Sequence, residues 1–483
     1  MKTHILLTGI AFLSLMASCT IKPTYPVVVE NPTVVYQNTE VLSVNKVELN
    51  DTATLLYMHS DFRPGYWIRF DTATYLLSHG EKFPIKASDS FKLGEMFRMP
   101  ASGEADFVLS FAPLPAATGA FDLIEDVPEK GAFRFFDILL TDVKSRVPKV
   151  RYNAGEELIP SVISNEKAIL KGQIFGYRSE MGDEILSCYY FPYGGGNEAS
   201  KVTLEPDKEG RFTIELSPYF PKSIRTVFGK CYVAPGHTTE LYYDLATKEV
   251  AFKGALAAVN KDMFNQQVMD TELYYYALDV NGMTQEQAYA HFDSLCFRHR
   301  DSLQAQKLET KASRLLLDML FKNSYLNYRR NLPAYCRMLE ESYKEGRSKV
   351  AYVSPDFKTE PDYSNDNLPE FMQKLLDTPH FSYTGSITTI NPLAIESNNV
   401  KRLLLNIDNG KGISEAETAG LDTLSSPIYK ELVEEHLTAY AKLQEEFAAM
   451  KNVHLRPFKE LPNEQLISTL LESYKGQPVL IDI

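Results

Sequence analysis

The hydrophobic period changes once along this chain, and that change limits the fold more than any other feature. Up to about residue 254, apolar residues alternate with polar ones or cluster in short runs, the pattern of strands. After Ala255 they recur every three or four residues, the pattern of helices. Strands gathered first and helices afterwards describe an α+β chain, not an alternating α/β one.

Two β regions precede the switch. From Val34 to Thr141 short strands alternate with turn signals. Tyr66–Phe70 follows the turn pair Pro64-Gly65, and Ala105–Phe111 puts Phe107, Leu109 and Phe111 on one face. Ala132–Leu140 is a further apolar strand. These features predict an N-terminal β-sandwich over 34–145. Residues 145–165 are polar, carry Pro148 and Pro160, and read as a linker. A second small β module is predicted over 166–256, with Asp207-Lys208-Glu209-Gly210 as a hairpin-like turn ahead of Arg211–Ile214.

A mainly helical region follows over 257–463. Thr284-Gln285-Glu286-Gln287 has the form of a capping box opening a helix through about Leu303. A second helix is predicted from Ala312 to Tyr328 and a third from Pro333 to Lys344, split by the proline. Further helices are expected near 368–377, 398–406, 426–449 and 464–474.

The first nineteen residues read as a leader. Lys2 is followed by the apolar stretch Ile5–Ala17, which is too short to span a bilayer. It ends in Leu15-Met16-Ala17-Ser18-Cys19, which resembles a bacterial lipobox. The resemblance implies that residues 1–18 are a signal peptide, that Cys19 is lipidated, and that 19–33 tether the protein to a membrane in the cell envelope. Multiple acyl chains hold far more firmly than one. The formal net charge of −13 argues against a nucleic-acid partner, which requires a basic face. The expected partners are therefore the membrane, through the lipid, and an envelope protein.

The C-terminal residues carry a second resemblance. Lys475-Gly476-Gln477-Pro478-Val479-Leu480-Ile481-Asp482-Ile483 is similar to the opening of a TlpA-type thioredoxin-like domain. In that family such a strand leads directly to a Cys-x-x-Cys pair. Lys171-Gly172-Gln173-Ile174, Gly210–Thr213, Val233–Gly236 and Phe252–Gly254 resemble the β module that precedes those domains in envelope lipoproteins. The resemblance implies the N-terminal part of a thiol-disulfide oxidoreductase family member, with 464–483 as the start of a truncated thioredoxin-like domain. The catalytic dithiol itself has no counterpart in these residues, so no catalytic residue and no cofactor are assigned. The expected role is anchoring and docking. The alternative is a free-standing ligand- or protein-binding lipoprotein with no redox role.

The remaining candidates are weaker. An oxidising envelope permits a disulfide between Cys188 and Cys231, or between Cys296 and Cys336, but four buried free thiols are the favoured reading, because free cysteine packs as a small hydrophobe. Cys296 and His299, with His291 nearby, are too few for a zinc site, and no metal is assigned. Tyr193-Gly194-Gly195-Gly196 lacks the Lys-Ser/Thr of a phosphate loop. Leu273–Tyr276 offers flat aromatic faces suited to a glycan or peptide, but helix-packing tyrosines are the favoured reading. The acidic pairs Glu434-Glu435 and Glu445-Glu446 read as a solvated helix face.

Overall fold

A computed structural model describes residues 24–128, 131–182, 187–190, 200–226, 228–264, 278–358 and 392–449. The expected signal peptide over 1–18, Cys19, Gly194–Gly196, Leu273–Tyr276, the helix expected over 368–377 and residues 464–483 lie outside the described residues. The chain divides into two compact units, residues 1–395 and 396–483. The architecture is α+β.

The first unit opens with one antiparallel sheet of nine strands. In chain order these are β1 (Val27–Glu30), β2 (Thr33–Gln37), β3 (Leu42–Leu49), β4 (Thr54–Asp61), β6 (Thr74–Ser78), β7 (Glu81–Ser88), β9 (Glu104–Phe111), β10 (Ala120–Glu125) and β11 (Arg134–Leu139). Their spatial order is β1-β3-β4-β9-β7-β6-β10-β11-β2. A separate two-stranded ribbon pairs β5 (Trp67–Ile68) with β8 (Phe97–Arg98).

The expected N-terminal sandwich is thus a single curled sheet, and β7 explains the difference. Its first half, through Pro84, pairs with β6, while Ile85 onward pairs with β9. The register slips between Ile85 and Ala87. Proline has no N–H for the ladder, and a bulge bends its strand. The sheet folds over at this corner, and its two halves enclose one core. Leu56, Leu109 and Phe111 from one half meet Leu76, Leu123 and Phe135 from the other, all fully buried. Phe107, Leu109 and Phe111 share the buried face, as their spacing predicts.

The two-sheet sandwich is the second β module. One sheet has the order β15-β12-β18-β19 and the other β14-β13-β16-β17. The strands are β12 (Ala168–Phe175), β13 (Ser187–Tyr190), β14 (Ser200–Thr203), β15 (Arg211–Leu216), β16 (Lys222–Thr226), β17 (Gly229–Val233), β18 (Thr238–Asp244) and β19 (Val250–Gly254). β12 and β18 run parallel. They approach so closely at Gly172 that a Cβ there would lie 1.7 Å from the Leu241 carbonyl oxygen. The turn at Asp207–Gly210 forms, but it is not a hairpin: it carries the chain from β14 in one sheet to β15 in the other. The Asp207 carboxylate accepts from the backbone N–H of Glu209 and Arg211.

Residues 145–165 do not form a free linker at their start. Arg146 donates through Nε and Nη2 to the fully buried Asp244, at 2.9 Å each. Val35 and Phe136 of the curled sheet also enter the core of the sandwich. The two β modules are therefore packed together.

Helix α1 (Ala257–Phe264) lies against β17 and β19. Its Asn260 side chain bonds both the N–H and the C=O of Tyr232. Helix α2 (Gln285–Gln304) begins with the Thr284–Gln287 capping box read from the sequence. Helix α3 (Lys311–Lys344) is continuous through Pro333, where two helices were expected. Leu332 and Cys336, on either side of the proline, are fully buried with Phe292 and Phe321 in one core shared by α2 and α3. That burial outweighs the lost backbone hydrogen bond.

Helix α4 (Pro392–Asp408) crosses the boundary between the units, and the second unit holds α5 (Glu415–Gly420) and α6 (Pro427–Ala449). Ser414 and Glu417 cap α5 reciprocally. Among the described residues no helix is long and apolar enough to cross a membrane.

Candidate functional site: an aromatic and basic ribbon at one end of the curled sheet

The β5–β8 ribbon stands at the end of β4 and the start of β9, where Asp61 pairs with Glu104. Three local features build it. Arg63-Pro64-Gly65-Tyr66 forms a turn closed by Tyr66 N–H to Arg63 O at 3.1 Å, with Gly65 at φ +77. Proline followed by a positive-φ glycine is the signature of a type II turn. Met99 N–H donates to Tyr66 O at 2.7 Å, and Gly65 N–H donates to Met99 O at 3.1 Å. Gly103, at φ +81, closes the base, where its N–H-bearing backbone comes so near Phe62 that a Cβ would lie 2.8 Å from Phe62 O.

Alternation along the two short strands separates the side chains. Ile68 and Phe97 are cross-strand partners that turn inward, Ile68 fully buried. Beneath them lies a cluster of rings: Phe91 to Phe97 at 5.3 Å, Phe91 to Phe107 at 5.1 Å, and Phe70 to Phe133 at 5.0 Å. Trp67 and Arg98 are the other cross-strand pair and turn outward, and Met96 lies just ahead of β8. Trp67, the only tryptophan of the chain, is 44% exposed and Met96 57%. Arg98 donates from Nη1 to Gly65 O at 3.2 Å and is exposed. Tyr66, beside them, is edge-on to Phe62 at 5.4 Å and has Arg63 over its ring at 5.7 Å. A flat apolar surface with a guanidinium beside it is thus held out on a rigid aromatic base. Such a surface can stack on a ring and bind an anion.

The sequence reading placed Trp67 inside a strand and did not single it out. The available signal was a large aromatic directly after a Pro-Gly turn.

The cysteines follow the free-thiol reading of the sequence. All four of Cys188, Cys231, Cys296 and Cys336 are free and buried. Cys188 on β13 is opposite Thr226, and Cys231 on β17 is opposite Ile224, so β16 lies between them. Two strand spacings are about 10 Å, beyond the Cα separation a disulfide spans. Burial pushes the Cys188 and Cys296 thiols up to about 12, and raises those of Cys231 and Cys336. Protonated thiols of this kind are poor nucleophiles.

The buried charges serve the junction between modules. Arg178, on the chain after β12, donates from both Nη atoms to Asp122 of β10 at 3.0 Å, and Asp137 of β11 lies 3.4 Å from it. Burial raises the Asp137 carboxyl, with the Arg178 charge acting against that rise. Among the described residues no group of three or more His, Cys, Asp or Glu is placed to hold a metal ion. His436 pairs with Asp408 at 2.8 Å in the second unit.

No family model, curated protein or solved structure matches the chain.

Proposed function

We propose that this chain is the non-catalytic N-terminal region of a cell-envelope lipoprotein related to thioredoxin-like oxidoreductases. Cys19 anchors it to the membrane, and the β5–β8 ribbon docks what it binds. The observation that carries the docking role is the outward face of Trp67, Met96 and Arg98 on a buried aromatic base. A solvent-facing tryptophan costs apolar exposure, and aromatic and arginine side chains supply most recognition energy where surfaces meet. The buried, high-pKa cysteines support a role outside thiol exchange for the described residues. The lipobox-like Leu15–Cys19 supports the anchor, and Lys475–Ile483 supports the family relation. A free-standing binding lipoprotein uses the same ribbon.

The test is photo-cross-linking in intact cells. A photoreactive phenylalanine at position 67 is expected to yield a discrete adduct, of whatever chemical class. The same probe at Val28, also exposed but on β1, is expected to yield none. Equal yields at both positions, or none at 67, overturn the docking role.

A further inference from the structure

We propose that the Trp67–Met96–Arg98 face binds an acidic glycan, whose sugar rings carry carboxylates. This inference rests on the docking role above and names its ligand.

Four observations lead there. First, Trp67 is left exposed on the ribbon, and Met96 is exposed just ahead of β8, while Ile68 is buried against the core. The C–H face of a pyranose ring has the shape and polarity to lie on an indole. Second, Arg98 stands directly across the ribbon from Trp67, and no ion pair is formed by it or by Arg63 among the described residues. One bond to Gly65 O orients the Arg98 fork and leaves its other N–H groups for a ligand. A guanidinium fork matches a carboxylate in two-point geometry. In a chain of net charge −13, this is a local site for an anion.

Third, the area is small. Side chains of this size bury roughly 200 Å² each, so the outward face offers on the order of 300 Å². A stable protein interface needs about 800 Å² per partner. The face fits one or two sugar rings and falls short of a protein partner. Fourth, the ribbon lies away from the tether. Tyr25 donates to Leu114 O, and Leu114 N–H donates to Thr54 Oγ1, at the first residue of β4. The ribbon follows Asp61, the last residue of β4, about 24 Å away at strand rise. The segment from Cys19 to Tyr25 reaches at most about 20 Å. The ribbon is thus set apart from the point where the tether enters the fold.

The sole tryptophan makes the test direct, because all indole emission of the full chain comes from Trp67. The purified chain is titrated with tetragalacturonate and tetramannuronate, with the uncharged methyl ester of each, with hexaglutamate, and with phosphatidylglycerol vesicles. The expected result is a saturable emission change with at least one uronate, and binding at least 10-fold weaker for its ester. Arg98→Met, which keeps Trp67, is expected to weaken uronate binding at least 10-fold, and Arg98→Lys several-fold. No response to either uronate overturns the proposal, as does an ester that binds equally. A hexaglutamate response equal to the best uronate assigns the face to acidic peptides, and a stronger vesicle response assigns it to lipid headgroups; both overturn it. The ester comparison uses the wild-type chain, so it stands even if a variant fails to fold. A cross-link at position 67 in cells with no uronate response leaves the docking role and removes the glycan. Absence of both removes the docking role itself.

Discussion

Gly172→Ala tests the sandwich at its tightest point. An alanine Cβ would lie 1.7 Å from the Leu241 carbonyl oxygen and 2.6 Å from the carbonyl carbon. Both atoms belong to the backbone of the parallel neighbour β18, so no rotamer change relieves the overlap. Restoring an ordinary C···O contact of about 3.3 Å opens the strand pair by roughly 1.5 Å. Hydrogen bonds near about 2.9 Å then pass out of range. Two or three such bonds at about 1 kcal/mol each, with looser packing of the fully buried Leu170 and Leu241, total roughly 3–4 kcal/mol. That corresponds to a fall in melting temperature of roughly 6–12 °C. The assay is a thermal melt by circular dichroism of wild type, Gly172→Ala and Gly119→Ala. A Cβ at Gly119 meets nothing within 4 Å, so this control is expected to melt with wild type. If Gly172→Ala melts with the control, β12 and β18 are not apposed as described, and the reasoning fails.

Three further outcomes are expected. Arg146→Met leaves the buried Asp244 carboxylate with backbone donors only, and is expected to lower stability by about 2–3 kcal/mol in urea titrations at pH 7. Burial acts to raise the Asp244 carboxyl, but the Arg146 hydrogen bonds and charge hold it below the usual range. A depressed carboxyl stabilises the fold above its unfolded pKa of about 3.9, and that contribution is lost as pH falls through the folded value. The gap between wild type and Arg146→Met is therefore expected to close below about pH 4; a gap unchanged there contradicts the pairing. In the native chain at pH 8, Cys188, Cys231, Cys296 and Cys336 are expected to resist a thiol reagent until denaturant is added, and a rapid first-order phase from any of them contradicts their burial. Pro333→Ala restores an N–H inside α3 and is expected to raise stability by about 1 kcal/mol; a loss would show that the proline shapes the core around Leu332 and Cys336.

What was legible in the sequence was whatever depends on neighbours along the chain. Phe107, Leu109 and Phe111 share a buried face because alternation fixes side-chain direction once a strand forms. Thr284 and Gln287 cap α2 because their bonds close within four residues. Pairing between distant segments was not legible. Nothing local in Glu81–Ser88 shows that one strand serves two halves of a sheet, so the curled sheet was read as a sandwich. Pro333 was read as a break because propensity is local, whereas the apolar face that carries α3 past it is built with α2. The same holds for the site. Tyr66–Phe70 reads as one alternating strand, but only two of its residues pair with β8, and this short ribbon leaves Trp67 facing solvent. That Cys188 and Cys231 stay free follows from the strand between them, which spacing along the chain does not reveal.

The central claim is that the ribbon is a recognition face occupied in the envelope. With the four internal cysteines buried, Met96→Cys introduces the one accessible thiol among the described residues and keeps Trp67. Val28→Cys serves as the matched control on β1. A membrane-impermeant maleimide is applied to each variant, once as purified protein and once in freshly isolated envelopes. Rapid labelling of both is expected when purified, with at least 10-fold slower labelling at position 96 alone in envelopes. Equal labelling rates at position 96 in the two preparations would contradict the claim.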